Sequence, residues 1–156
     1  MAVKLSKAAK SLYLALISIS LLPNVIASYR LEDVEIPENL NNVKIFTDAE
    51  ILRFDGSDPN LPLYMGIKGV VFDVSEGFDF YGKEKSYNAL IGRDSTRAVA
   101  KMSLEPADLT SDTSSLSEQE LKSLDEIFNT VYLAKYPVVG YMDYLIREKR
   151  RLNKDL

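Results

Sequence analysis

The chain is 156 residues long with 46% hydrophobic content, which suits one domain with its own core and excludes a disordered chain. Its 19 Lys plus Arg face 23 Asp plus Glu, and it has no His, Cys or Trp. The absent types exclude zinc sites built on imidazole or thiolate, Ser-His-Asp and Cys-His catalysis, disulfides, and a haem held by histidine.

The chain opens on Lys4, Lys7 and Lys10, followed by an apolar run over residues 12–22 and then Pro23, Asn24 and Val25-Ile26-Ala27-Ser28. A basic start, an apolar run of about ten residues and small residues at its end are the three parts of a secretory signal peptide. Residues 1–27 are read as that peptide, with cleavage after Ala27. A retained membrane anchor is the alternative, but a span needs ~20 apolar residues, and this run is shorter and ends in Pro23. Removing residues 1–27, which hold three Lys and no acid, leaves a net charge of -7. Nucleic acid and anionic lipid call for basic patches, so neither is an expected partner, and membrane contact is expected only if the N-terminal segment is retained. An exported chain without disulfides relies on its core, or on a bound cofactor, for stability.

Residues 28–42 are polar and read as a linker without a core of its own. Residues 43–46 form a short strand. Thr47 and Glu50 make a capping box, which starts a helix over residues 48–54. Turn residues make 55–62 a loop. Two apolar runs, 63–67 and 70–74, flank Lys68-Gly69 and predict a hairpin, with Gly69 free to take positive φ. Phe78, Phe80 and Tyr81 crowd the following loop. Residues 87–90 suggest a short helix ended by Gly92, and Asp94 can cap the next helix over 95–101. A polar loop follows Pro106. Ser117 and Glu120 make a second capping box, after which Leu121, Leu124, Ile127, Phe128, Val131 and Tyr132 recur at helical spacing in one long helix that ends before Pro137. Residues 136–139 read as a strand stopped by Gly140. Residues 142–156 read as a basic, helical C-terminal tail. The order is that of an α+β domain with short helices inserted after a hairpin.

Few residues carry a chemical signal. Gly77 and Gly82-Lys83 have the spacing of a phosphate loop, but Glu84 stands where Ser or Thr must hold magnesium, and the interior is bulky and acidic. Asp55-Gly56-Ser57-Asp58 lacks the alternating ligands of a calcium loop and reads as a solvated turn. The aromatic group Phe78, Phe80, Tyr81 and Tyr87 has two readings. Aromatics close cores, and the same surface would suit a flat apolar cofactor. Tyrosine is also a known axial ligand of haem iron, as phenolate.

The stretch 63–74 resembles the hairpin of the cytochrome b5-like fold. Phe80-Tyr81-Gly82 through Tyr87, then Gly92-Arg93-Asp94-Ser95-Thr96-Arg97-Ala98, resembles the membrane-associated progesterone receptor family, and Ala134-Lys135-Tyr136-Pro137-Val138-Val139-Gly140 resembles that family's closing motif. The resemblance covers residues 43–141, roughly two-thirds of the chain. It implies a cytochrome b5-like domain, a small mixed sheet with inserted short helices forming a haem pocket. By position, Tyr87 matches the axial ligand of the haem iron. Tyr81 matches a tyrosine that hydrogen-bonds near the iron, and Lys135 and Tyr136 match a pair that contacts haem from the far end of the domain. The implied cofactor is ferric haem b, five-coordinate with one face open. A phenolate stabilises ferric iron and lowers its potential, which disfavours an electron shuttle. With no His or Cys beside the open face, peroxidase-type proton transfer lacks its usual group, and no enzymatic activity is expected. With the signal peptide, the resemblance implies a secreted haem-binding protein acting as a neurotrophic or growth-factor-like signal through a cell-surface receptor or other protein partner. The competing expectation is an adaptor of the endoplasmic reticulum membrane that supports oxidoreductases or sterol handling.

Overall fold

A computed structural model describes residues 34–153. The expected signal peptide lies outside the described residues, as does the first part of the expected linker. From residue 34 onward that linker segment packs on the domain. Val34 is buried in the main core, and Ile36 and Leu40 lean against it.

Strand β1 is Ile45–Phe46. Helix α1, Asp48–Ile51, starts at the Thr47–Glu50 capping box, in which each side chain accepts from the other's backbone N–H, and a 3-10 turn extends it over Leu52–Phe54. Strands β2 (Tyr64–Ile67) and β3 (Val70–Asp73) form the expected hairpin. Its two-residue turn has positive φ at both Lys68 (53°) and Gly69 (75°), the conformation whose twist matches paired strands. Helix α2 is the single turn Phe78–Tyr81, and a 3-10 turn covers Asn88–Leu90. Helix α3 spans Thr96–Lys101. Its N-cap is Ser95, one residue later than expected, and the Asp94 carboxylate just before it accepts from the Thr96 N–H at 3.0 Å.

Helix α4, Glu118–Ile127, begins at the second capping box, Ser117 with Glu120. The expected single helix is interrupted by a π turn, Phe128–Tyr132, before α5 (Leu133–Lys135). Within that turn the Asn129 and Thr130 side chains donate to the carbonyls of Asp125 and Glu126, four residues back. Such side-chain bonds compete with the helical ladder, and here the Leu133 N–H reaches Phe128 O, five residues back.

Strand β4, Val138–Met142, corrects the expectation that Gly140 stops a strand. Gly140 lies inside it, where a Cβ would stand 2.3 Å from Lys44 O and 2.7 Å from the Phe46 ring. The residue is glycine because β1 runs too close for any side chain. Helix α6, Asp143–Leu152, is the expected C-terminal helix, with Lys149, Arg150 and Arg151 in its last turn. It is no detached tail, since Leu145 and Ile146 are buried in the main core.

The sheet order is β1-β4-β3-β2, with β1 parallel to β4 and the other pairs antiparallel. Side chains alternate across it. Val70 and Phe72 enter the main core, and Val71 enters a smaller one with Phe46, Ile51 and Met142. The short helices α2 to α5 pack on the main-core side and build the site. Among the described residues, no helix is long and apolar enough to cross a membrane.

Candidate functional site

The site is an open groove of about 310 Å³ between the 3-10 turn at Asn88–Leu90, helix α3 and the end of α4. Leu90, Ala98, Val99 and Ile127 give it aliphatic walls, and Tyr81, Tyr87 and Tyr132 add phenols. Its lip is Met102, Ser103 and Leu104. Met102 ends α3 in the left-handed region (φ 48°) and is 81% exposed.

Local hydrogen bonds fix the phenols. The Tyr87 N–H donates to Phe80 O at 3.0 Å. The Asn88 side chain donates to Tyr81 O at 2.9 Å and to Asp55 O at 3.3 Å, tying the turn to α2 and to the loop after α1. Tyr87 is left 46% exposed at the rim. Of the four aromatics singled out in the sequence, Tyr81 alone closes the core; Phe78 and Phe80, like Tyr87, are exposed.

The rings form a connected set. Tyr81 lies 6.3 Å from Tyr87 and 6.2 Å from Tyr136 between ring centroids, and Tyr132 lies 5.8 Å from Tyr136. The structure therefore brings Tyr81, Tyr87 and Tyr136 together. Lys135 is exposed at the end of α5 and does not line the groove. Sequence reasoning placed Tyr132 only in an apolar stripe, yet its hydroxyl meets that of Tyr81 at 3.0 Å in the buried floor. Helical spacing pointed Tyr132 inward; no local signal paired its oxygen with Tyr81.

Burial, first, pushes the Tyr81 phenol well above its ordinary value, and the neighbouring Tyr132 adds to the rise. Burial raises Tyr132 and Tyr136 in the same direction. These three stay protonated at neutral pH and can donate hydrogen bonds. Tyr87 is the phenol at the open rim, where an incoming cation can displace its proton. The donor set suits haem, since aliphatic walls fit a flat apolar ring and a rim phenol is a known ligand for its iron. Among the described residues no cluster of His, Cys, Asp and Glu could hold a bare metal ion.

The profile of the "Cytochrome b5-like Heme/Steroid binding domain" matches residues 47–143. The chain belongs to this cytochrome b5-like family. Within it, the similar proteins are of the progesterone-receptor and steroid-binding branch. Membrane steroid-binding protein 2 of Oryza sativa subsp. japonica is 45% identical over 103 residues, 66% of this chain and 38% of the relative. Membrane steroid-binding protein 1 of Arabidopsis thaliana is 40% identical over 109 residues, 70% of this chain and 49% of the relative. A neuferricin homolog of Caenorhabditis elegans is 35% identical over 96 residues, 62% of this chain and 29% of the relative. In each case the chain spans less than half of the relative's length. A solved structure of a hypothetical Arabidopsis thaliana protein with a cytochrome b5 like fold superposes at a TM-score of 0.60 with 34% identity, covering 69% of this chain and 98% of that one. The cytochrome b5-like α+β fold expected from the hairpin and the closing motif is the fold observed.

Proposed function

We propose that the groove holds ferric haem b through the phenol oxygen of Tyr87, and that the protein is an exported haem-binding signal rather than an enzyme. The observation that carries this reading is the position of Tyr87, an exposed phenol at the rim of an aliphatic groove whose other phenols are buried and protonated. With His and Cys absent from the whole chain, a phenolate is the anionic donor that the groove offers to ferric iron. Haem there supplies a flat apolar ligand that stabilises the native state, by ~2.7 kcal/mol at a hundredfold excess over Kd. Tyr81 and Tyr132 serve as donors behind the ligand oxygen, and Tyr136 backs them from the far side. Lys135 stays outside the groove, so its part as a haem contact rests on the family motif alone.

Export rests on the N-terminal segment and on a closer resemblance. Residues 87–104, together with that segment, resemble neudesin, a secreted member of the family. This supports a neurotrophic or growth-factor-like role through a cell-surface partner. The second reading, a membrane-held adaptor, draws on the apolar run at 12–22 and on relatives named as membrane proteins. The names of those relatives also make a steroid the competing occupant of the groove.

The test is the visible spectrum of the mature protein loaded with hemin. Wild type is expected to give a Soret band with phenolate-ligand character that Tyr87→Phe loses; an unchanged spectrum in Tyr87→Phe rejects the ligand. Fractionating medium from membranes separates the two locations, and protein found only in membranes with residue 1 intact removes the secreted reading.

A further inference from the structure

We propose that Tyr132 is a positioning residue, whose hydroxyl donates to the Tyr81 hydroxyl and so turns the Tyr81 proton toward the Tyr87 oxygen. This rests on the reading of Tyr87 as the iron ligand.

The ring of Tyr132 is clamped without help from its hydroxyl. It is 5% exposed, with Phe72 and Tyr136 each 5.8 Å away between ring centroids. A phenylalanine would fill that space equally well. The hydroxyl is thus a polar group placed in a core, and such a group costs stability unless bonded. Its partner is the Tyr81 hydroxyl at 3.0 Å, a residue 51 positions away in sequence.

The Tyr136 hydroxyl also faces that of Tyr81, and the Tyr87 ring lies 6.3 Å from the Tyr81 ring between centroids. One proton lies between the Tyr81 and Tyr132 oxygens, and its owner decides what Tyr81 offers to the groove. If Tyr81 donates to Tyr132, only a lone pair remains for Tyr87, and a lone pair repels an anionic oxygen. If Tyr132 donates, Tyr81 keeps its proton for the groove, and each bond in such a chain polarises and strengthens the next. A phenolate at Tyr87 selects the second arrangement, because hydrogen bonds to a charged acceptor are roughly twice as strong as neutral ones. The π turn matters here. It ends on Tyr132 and leaves both Phe128 and Tyr132 buried, so the hydroxyl reaches the groove floor.

The consequence is electronic. A donor behind the ligand oxygen draws charge from it, weakens its donation to iron and lifts the ferric–ferrous midpoint. The experiment is spectroelectrochemistry of the hemin-loaded protein. Tyr132→Phe is expected to move the midpoint downward, with hemin still bound and the melting temperature little changed. Tyr81→Phe is expected to move it the same way, and Tyr132→Phe is expected to add nothing in the Tyr81→Phe background. A midpoint equal to wild type in Tyr132→Phe overturns the proposal, as does an undiminished shift in that background. If Tyr132→Phe loses hemin, 3-fluorotyrosine at position 132, a stronger donor, must raise the midpoint; no rise overturns it. Tyr87→Phe is the separate arm. An unchanged spectrum there sinks the ligand itself, whereas a lost spectrum with an unmoved Tyr132→Phe midpoint sinks only the relay.

Discussion

The Tyr144 hydroxyl donates to the Asp94 carboxylate at 2.8 Å, across 50 residues of sequence. Asp94 is fully buried and gathers three parts of the fold. Its Oδ2 also accepts from the Gly69 N–H in the hairpin turn at 3.0 Å, and its Oδ1 accepts from the Thr96 N–H and hydroxyl at the head of α3. The hairpin, the helix that walls the groove and the C-terminal helix thus share one carboxylate. Burial pushes the Asp94 carboxyl above its ordinary range, against the pull of these donors.

Asp94→Ala is expected to destabilise the domain by about 3–5 kcal/mol, because it orphans several buried donors at once. Tyr144→Phe removes one donor to the buried carboxyl and is expected to cost about 1.5–3 kcal/mol once that carboxyl is ionised. The pH dependence has a definite sign. A carboxyl raised in the folded state contributes most below its ordinary value of 3.8, and that contribution fades as pH rises through the folded value. Losing Tyr144 raises the carboxyl further, so the Tyr144→Phe deficit should grow with pH. Urea melts of both proteins on either side of pH 3.8 check this, and a deficit independent of pH contradicts it.

Asp108 has the opposite sign. The Ser103 hydroxyl, first, and then Arg97, whose Nε lies 2.9 Å away, hold its carboxyl below 3.8. Its contribution is complete above 3.8 and is lost as pH falls through the lower folded value. These contacts brace the loop that forms the groove lip. Asp108→Asn should therefore melt lower than wild type near neutrality, and the gap should close in strong acid. A gap that persists there would show that the charge is not what matters.

Gly140→Ala is expected to be severe, at about 3 kcal/mol or more, since its methyl would overlap the Lys44 carbonyl just before β1. The effect should appear as a lower denaturation midpoint. Protection of the Tyr141 amide, which donates to Lys44 O at 2.9 Å, should fall with it in hydrogen exchange. Unchanged protection would mean that β1 shifts aside freely.

Met102 sits in the left-handed region, where a side chain is strained, and its own side chain is open to solvent. Met102→Gly should leave the protein as stable or up to about 1 kcal/mol more stable, while hemin dissociates several-fold faster for want of the lip. Stopped-flow transfer of hemin to an apo-globin acceptor measures the second effect. Unaltered release would remove Met102 from the groove's retaining parts.

Much of this fold was legible in the chain. Both capping boxes and the hairpin with its Lys68-Gly69 turn need only residues a few positions apart, whose geometry is set locally. Gly140 was misread because a glycine signals close approach as readily as a turn, and the atom that forbids a side chain, Lys44 O, lies at the entry to a strand far away in sequence. The long helix was predicted unbroken because its apolar spacing is continuous, whereas the π turn follows where Asn129 and Thr130 send their side-chain bonds.

The amino-acid sequence by itself determined the chemistry on offer. A chain without imidazole or thiol leaves haem iron a short choice of side chains, and Tyr81, Tyr87, Lys135 and Tyr136 were visible as candidates through family motifs. Tertiary packing decided which of them converge. It set Tyr87 at the rim, buried Tyr81 against Tyr132, and left Lys135 in solvent. The reason is physical: side-chain type and local backbone preference are properties of short segments, but the direction in which a buried hydroxyl points depends on every ring packed around it.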